Sequence, residues 1–345
     1  MSNTMSTPVV HALGFSHWKR RPLRVCFPGA RLRFVARLTE VPDGALLAVW
    51  GRHAAAESAG RGIRVVRIED GFLRSVGVGA DLIRPLSWVV DARGLYFDAT
   101  RPSDLEVLLA ETEFSAALLQ RASALRARIV ATGLTKYNVG VARWQRPAGA
   151  ARVILVPGQV ESDASITWGA PGIRTNLALL QAVRAAQPDA HLLYKPHPDV
   201  VAGLRAPGRG EDEARRWCDE IVGEVSMGAL LREVDAVHCL TSLAGFEALL
   251  RGREVVCHGQ PFYAGWGLTT DTVPVARRVR RLTLDELVAG ALILYPRYIG
   301  RRQDVPVSPE AALDALLAWR ERSGGRTPWW RKAFRVGLRR VVGVR

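Results

Sequence analysis

Two carboxylates, Glu69 and Asp70, stand directly after the stretch IRVVRI, and two more, Glu161 and Asp163, stand just after ARVILVPGQ. Lys195, Pro196, His197 and Pro198 follow AHLLY; Thr241 and Ser242 follow AVHCL; QPFYAGWG follows REVVCHG. Glycosyl transfer needs carboxylates flanking a sugar carbon, one to activate the acceptor and one to stabilise or trap the oxocarbenium. Asp70 and Asp163 are candidates for that pair. Ser242, at a helix start with free backbone N–H groups, would seat a phosphate. His197 and Lys195 would add positive donors to the same anion. Glu247, about one turn into that helix, would accept hydrogen bonds from ribose hydroxyls. Together these residues read as the site of a nucleotide-sugar transferase.

Each cluster also has an ordinary structural use. Glu69 and Asp70 suit a turn with Gly71 at positive φ. Glu161 and Asp163 suit the positive end of a helix dipole, Thr241 and Ser242 are good N-caps, and Glu247 suits a helix face. His197 is harder to treat this way, because prolines on both sides restrict its backbone. Position favours chemistry: ligands of open parallel sheets bind outside the carboxyl ends of the strands, and every cluster follows a run that reads as a strand.

The elements that must position these residues fall into two sets. In the first half, LRVCFPG, ALLAVWG and IRVVRIE read as short buried strands, and SWVVDARGLYFD reads as a hairpin turning at Ala92, Arg93 and Gly94. Ser103 with Glu106 forms a capping box for a helix, and SAALLQRASALRARIVATG gives a second helix stopped by Gly133. In the second half, strands and helices alternate from ARVILVPGQ to REVVCHG, which predicts a parallel sheet with right-handed crossovers. The expected fold is α/β, with two Rossmann-like domains whose parallel sheets face a central cleft. The N-terminal domain would span 1–145 and the C-terminal domain 150–325, joined near Ala142 to Ala151, with a basic tail over 326–345. Neither the dinucleotide G-x-G-x-x-G nor the P-loop pattern follows a strand, and GVGAD at 77–81 imitates the first poorly.

The chain has 345 residues, 48% of them hydrophobic, enough for two cores of ordinary size. Cys26, Cys218, Cys239 and Cys257 are scattered without metal-ligand spacing and read as reduced thiols of a cytosolic protein. No secretory leader is legible, and the apolar stretch LVAGALILY is about half the ~18 residues of a spanning helix. The net charge of +15, carried almost wholly by arginine, points to an anionic partner. Lysine occurs only at Lys19, Lys136, Lys195 and Lys332.

The segments ALGFSHWKR, RIEDGFLRSVGVGADLIRPLSWVVD, YFDATRPSDLE, TKYN, VPGQVESDASI, YKPHPDV, TSLAGFEALLRG and HGQPFYAGWGLT closely resemble the KpsC-type capsule polysaccharide proteins, the β-Kdo transferases of capsule export systems. The resemblance runs from about Ala12 to about Thr270. It implies a GT-B-like fold, CMP-β-Kdo as donor, retention of anomeric configuration and no metal or other cofactor. The implied acceptor is a phosphatidylglycerol-based lipid already carrying Kdo, at the cytoplasmic face of the inner membrane. Other capsule assembly or export proteins are implied partners, and nucleic acid is not. Carried onto this chain, Gln159, Glu161 and Asp163 form one motif, with Asp163 the expected nucleophile and Glu161 its rival. Glu69, Asp70 and Gly71 form a second, with Arg74 beside it and Asp70 the expected acid/base. His197 and Pro198 would neutralise the departing CMP phosphate, with Lys195 alongside, while Thr241, Ser242 and Glu247 would hold phosphate and ribose. Familiar members carry two such modules in tandem, and this sequence accommodates one.

The tail RTPWWRKAFRVGLRRVVGVR carries seven positive residues and no acidic one. Trp330, Phe334 and Leu338 recur on one helical face, a composition suited to an anionic membrane interface; packing back onto the N-terminal domain is the alternative. Rival readings of the whole chain are a CMP-sialic acid transferase, a non-catalytic capsule-assembly subunit and a nucleic-acid-binding protein. The last lacks any stacking or helix-turn-helix signature.

Overall fold

A computed structural model of the chain describes residues 7–51, 60–76, 85–138, 140, 143–301 and 303–323. The GVGAD segment and the basic tail lie outside the described residues.

The first sheet begins with β1 (Val9–Leu13), β2 (Arg31–Val35), β3 (Leu46–Trp50), β4 (Arg64–Asp70) and β5 (Ser87–Asp91). Two strands from near the other end of the chain, β12 (Pro296–Ile299) and β13 (Pro306–Val307), complete it in the order β13-β12-β5-β4-β3-β1-β2. β4, β3, β1 and β2 pair in parallel, whereas β5, β12 and β13 join antiparallel. The sheet is therefore mixed rather than parallel throughout.

The structure departs from two local expectations. LRVCFPG is not a strand: after α1 (His17–Arg20), Leu23–Cys26 forms the short helix α2, which buries Leu23, Val25 and Cys26 against Val10, Ala12 and Ile299. A short apolar run carries no period long enough to separate a buried strand from a buried helical turn. SWVVDARGLYFD makes no hairpin, because β5 pairs with β4 and β12. The turn after β5 is held by the buried Asp91 carboxylate instead. Its Oδ1 accepts the N–H groups of Arg93 (3.0 Å) and Gly94 (2.7 Å), and its Oδ2 accepts the N–H of Asp104 and the hydroxyl of Tyr295.

From β5 the chain enters α3 (Asp104–Glu111) and α4 (Ala116–Thr132). Ser103 caps α3 by accepting the N–H of Glu106, and Gly133, at φ +64°, ends α4 in the left-handed conformation that glycine adopts without penalty. The capping box is half-formed, because the Glu106 carboxylate is drawn elsewhere. It takes Nε of Arg278 at 2.9 Å and a second arginine, Arg277.

The second sheet is parallel at every pairing, in the order β11-β10-β9-β6-β7-β8. Its strands are β6 (Val153–Pro157), β7 (His191–Lys195), β8 (Glu220–Ile221), β9 (Ala236–Cys239), β10 (Glu254–Cys257) and β11 (Thr270–Asp271). Every residue of β6 and β9 is buried, as expected of strands covered on both faces. The helices between them are α5 (Ala164–Gly169), α6 (Asn176–Ala186), α7 (Pro198–Val201), α8 (Met227–Glu233) and α9 (Leu243–Leu250). The chain then returns through α10 (Leu284–Val288) and a wide turn at Ala289–Leu294 to β12, and runs on from β13 into α11 (Pro309–Ser323). The apolar stretch LVAGALILY is thus core: Leu287, Val288, Ala289, Ala291 and Leu292 are buried. Among the described residues no helix is long and apolar enough to cross a membrane.

One hydrophobic cluster joins the halves, drawing Phe72, Leu86 and Val89 from the first and Leu155, Leu193 and Val237 from the second. Its aromatic centre is Phe72, stacked on Phe262 at 4.5 Å between centroids and edge-on to Tyr96 at 4.8 Å. The Glu106–Arg278 pair spans the same junction, with side chains 8% and 3% exposed. Removing one member of a buried ion pair strands the other, at a cost of about 3–5 kcal/mol. We expect Glu106→Ala to lower unfolding stability by that amount in chemical denaturation. A loss below about 1 kcal/mol, the range of surface pairs, would show that the pair does not anchor the junction.

Candidate active site

Every cluster that follows a parallel strand opens toward one cleft of about 1160 Å³, lined from the first half by Trp18, Lys19, Glu69, Asp70 and Arg74, and from the second by Gln159, Asp163, His197, Ser242 and Glu247. A single small-molecule site usually occupies about 300–1,000 Å³, so this cleft lies just above that range.

Asp70 ends β4 and is clamped by Arg74, whose Nε and Nη2 reach Asp70 Oδ2 at 2.8 and 2.6 Å. Asp70 Oδ1 is buried with no hydrogen-bond partner among the described residues. Glu69, half-buried beside it, accepts the Asp70 N–H at 3.0 Å. Burial, then the neighbouring Asp70 charge, push the Glu69 carboxyl up to about 7. Gly71 is not at positive φ, contrary to the turn reading. It is glycine because a Cβ there would lie 2.6 Å from Ser87 Oγ, across the ladder that holds β4 to β5.

Asp163 is exposed and caps α5, its Oδ1 accepting the Ser165 N–H at 2.8 Å. Its charge acts on Glu69 and Tyr96 of the first half and on Lys136 and His197. These groups therefore share one electrostatic environment.

Glu161 is not brought into the cleft. Its two oxygens accept the N–H groups of Asn176 (2.9 Å) and Arg209 (3.0 Å), tying the loop after β6 to the start of α6. Both oxygens are engaged, which argues against Glu161 as a nucleophile. Gln159 and Thr241 line the cleft but bind each other: Gln159 Nε2 donates to Thr241 Oγ1 at 3.0 Å, and the Thr241 N–H donates to Gln159 Oε1 at 2.9 Å. They lock the ends of β6 and β9 together.

Lys195 and His197 differ from the positive donors expected. The Lys195 ammonium is buried, and its three donors go to the backbone carbonyls of Val222 (3.3 Å), Gly223 (3.0 Å) and Val225 (2.5 Å). Burial lowers its pKa to about 8. Lys195 thus fixes the loop opposite β7 instead of pointing a free charge at a ligand. His197 caps α7, with Pro198 at the first helical position, where proline is tolerated best. Its Nδ1 accepts the Asp199 N–H at 3.1 Å, so the neutral ring carries its proton on Nε2. Burial, followed by the Lys136 charge, pulls its pKa down to about 4. At neutral pH His197 is a neutral N–H donor, not a cation.

Ser242 caps α9 and accepts the Ala244 N–H at 3.2 Å. Glu247, one turn on, accepts the Lys136 N–H, and burial pushes its carboxyl up to about 7. The residues that sequence reasoning left without a role are Trp18, Lys19, Trp50, Tyr96, Lys136 and Tyr137, all in the lining. Most lie inside the segments ALGFSHWKR, YFDATRPSDLE and TKYN, so the sequence carries their signal; what it lacks is their partners in space.

Residues 48–142 and 141–298 match the family model described as capsule polysaccharide biosynthesis protein. The capsule polysaccharide modification protein LipA of Neisseria meningitidis serogroup A is 43% identical over 318 residues, 89% of this chain and 45% of that protein. The chain thus spans about half the length of that relative. Among solved structures, the β-Kdo 2,7 transferase of Thermosulfurimonas dismutans KpsC superposes with a TM-score of 0.75 at 39% identity, covering 90% of this chain and 99% of that one. The β-Kdo 2,4 transferase of the same protein superposes with a TM-score of 0.78 at 33% identity, covering 90% and 98%.

If burial and Asp70 set the Glu69 equilibrium, a ¹³C NMR titration of its carboxyl will give a midpoint near 7. Asp70→Asn will move that midpoint down, since it removes a negative neighbour and releases the Arg74 charge. A Glu69 midpoint in the ordinary carboxylate range would contradict the assignment.

Proposed function

The chain belongs to the capsule polysaccharide biosynthesis family, and from that premise we propose that it is a retaining β-Kdo glycosyltransferase. It moves Kdo from CMP-β-Kdo to a Kdo-bearing, phosphatidylglycerol-based lipid in capsule linker synthesis. The observation that carries this reading is the cleft itself, which is lined by Asp163 and His197 from one half and Glu69 from the other. The two Kdo transferases that superpose on 90% of the chain support the donor sugar. They do not separate the 2,7 from the 2,4 linkage, because identity favours one and superposition the other.

Retention follows from two displacements. Asp163 attacks the anomeric carbon; the bond to the CMP phosphate breaks, and CMP leaves with the electron pair. His197 Nε2–H and the backbone N–H groups at the start of α9 receive the phosphate, aided by the helix dipole. The acceptor hydroxyl then attacks the anomeric carbon of the glycosyl-Asp163 intermediate from the face CMP has left; the bond to Asp163 breaks and its electron pair returns to the carboxylate. Its proton passes to Glu69, whose pKa near 7 suits a general base at cellular pH. The acid/base role expected at Asp70 thereby moves to Glu69, while Asp70 raises Glu69 and offers its unpartnered Oδ1 to the acceptor. Glu247 holds the ribose. The reading is metal-independent, since donors on the protein take the leaving phosphate.

The site works at the cytoplasmic face of the inner membrane, with the basic tail at 326–345 held against anionic headgroups. Capsule assembly or export proteins are its partners there, with no nucleic acid involved.

Asp163→Ala will abolish transfer, by about 10³-fold or more in kcat as for other lost nucleophiles, and leave CMP affinity unchanged in calorimetry. An active Asp163→Ala enzyme would remove it as nucleophile. Deleting residues 327–345 will reduce sedimentation with anionic vesicles while sparing transfer to a soluble Kdo acceptor. Equal loss of both would assign the tail to the fold instead.

A further inference from the structure

β1, β3 and β4 lie side by side in the first sheet and run parallel, so their carboxyl ends form one edge of the cleft. β1 leads within a few residues to Trp18 and Lys19, β3 ends on Trp50, and β4 ends on Glu69 and Asp70. A Cβ on Gly51, the residue after Trp50, would lie 3.6 Å from Glu69 Oε2, so the Trp50 corner abuts the base.

The Lys19 ammonium sits on the Trp50 ring, 3.1 Å from its centroid, and 5.2 Å from that of Trp18. Trp50 is itself wedged edge-on between Phe15 at 6.2 Å and the fully buried Trp88 at 5.2 Å. The platform under the cation is therefore fixed. Among the described residues Lys19 has no carboxylate within ion-pair distance and no hydrogen-bond acceptor, so the N–H donors turned away from the Trp50 ring remain to be used. Burial lowers its pKa, while Asp70 and then Glu69 act from a distance to hold its charge; the ion pair that Asp70 makes is with Arg74. Beside it Trp18 is 40% exposed within the lining of the cleft.

A half-buried ammonium on an aromatic platform, next to a second exposed indole, has the chemistry to suit an anion carried on a pyranose ring. The anion takes the N–H donors, and the indole covers an apolar C–H face of the sugar. Phosphate-binding features lie on the opposite wall, around Ser242 and His197. We infer that Trp18, Lys19 and Trp50 form the subsite for the carboxylate-bearing sugar of the acceptor, and that Lys19 makes the enzyme selective for an acidic acceptor. This subsite rests on the transferase reading above and deepens it. Because the donor sugar also carries a carboxylate, the test must separate the two sources.

The probes are a soluble β-Kdo glycoside and its methyl ester, compared as acceptors and as ligands followed by intrinsic tryptophan fluorescence. A charge-assisted hydrogen bond contributes about 1.5–3 kcal/mol, so the wild type should prefer the acid by roughly ten- to a hundredfold in KM and in Kd. Lys19→Met, which keeps the aliphatic packing on Trp50, should bring acid and ester to parity while leaving KM for CMP-Kdo unchanged. Lys19→Arg should restore the preference.

Retention of the preference in Lys19→Met overturns the inference. So does a change in donor KM alone, which would assign the cation to the donor carboxylate. A shift of the pH–rate profile with equal loss on acid and ester also overturns it, since Lys19 would then act only on Glu69. If the wild type transfers no Kdo to either probe yet still binds the acid tenfold tighter through Lys19, the subsite stands and the transferase reading fails.

Discussion

The stack of Phe72 on Phe262 is the contact on which the rest depends. Phe72 follows Glu69, Asp70 and Gly71 at the end of β4, and Phe262 lies in the loop after β10. Their rings meet at 4.5 Å, with Tyr96 edge-on to both and Phe246 of α9 at 5.2 Å from Phe262. The end of β4 and the loop after β10 are thus packed through one aromatic layer at the cleft floor. Interiors at crystalline density transmit displacement instead of absorbing it, so loosening this layer would move Glu69 relative to Ser242. The buried Glu106–Arg278 pair, remote in sequence and across the same junction, adds direction to a contact that hydrophobic packing alone leaves slippery.

Above that layer, polar residues divide by what their hydrogen bonds leave over. Lys195, Gln159, Thr241 and Glu161 satisfy their groups within the protein and hold the shape of the loops. Asp163, Asp70 Oδ1, His197 Nε2 and Lys19 keep capacity facing, or bordering, the cleft. The same loops supply both kinds, often at neighbouring positions, because a strand end must be tied down before an adjacent side chain can be aimed. In the KPHP segment, Lys195 anchors the backbone so that His197, two residues on, holds one orientation and one tautomer.

Much of this was legible in the sequence, for identifiable reasons. The second sheet could be read strand by strand because its strands are buried on both faces and stand as unbroken apolar runs between capped helices. Polar clusters at strand ends were legible because a parallel sheet sends all its carboxyl ends the same way. The first sheet was harder. β2 alternates charged and apolar residues at an edge, and the helix at Leu23–Cys26 is too short to show a period. Antiparallel β12 and β13 arrive from the far end of the chain, and pairing at such separation leaves no local mark. At the site, residue types were informative and directions were not. Nothing in GQVESD tells that Glu161 turns toward the N–H groups of Asn176 and Arg209 while Asp163 faces the cleft. Nor can sequence set the charge state of His197, which depends on burial and on Lys136.

The cleft also bears on what a single module can do. Its lining runs from Trp18 to Phe262 within this one chain, and both walls close on the shared aromatic layer. Asp163, Glu69, His197 and the start of α9, to which the proposal gives the catalytic roles, and the proposed acceptor platform all come from that stretch. A second module of the same kind would bring a cleft of its own. Cooperation between two modules would then have to lie in the passage of product from one to the next. On the proposed reading, an acceptor subsite keyed to a carboxylate suits that arrangement, because a Kdo left by one transfer would carry the charge that the next site reads.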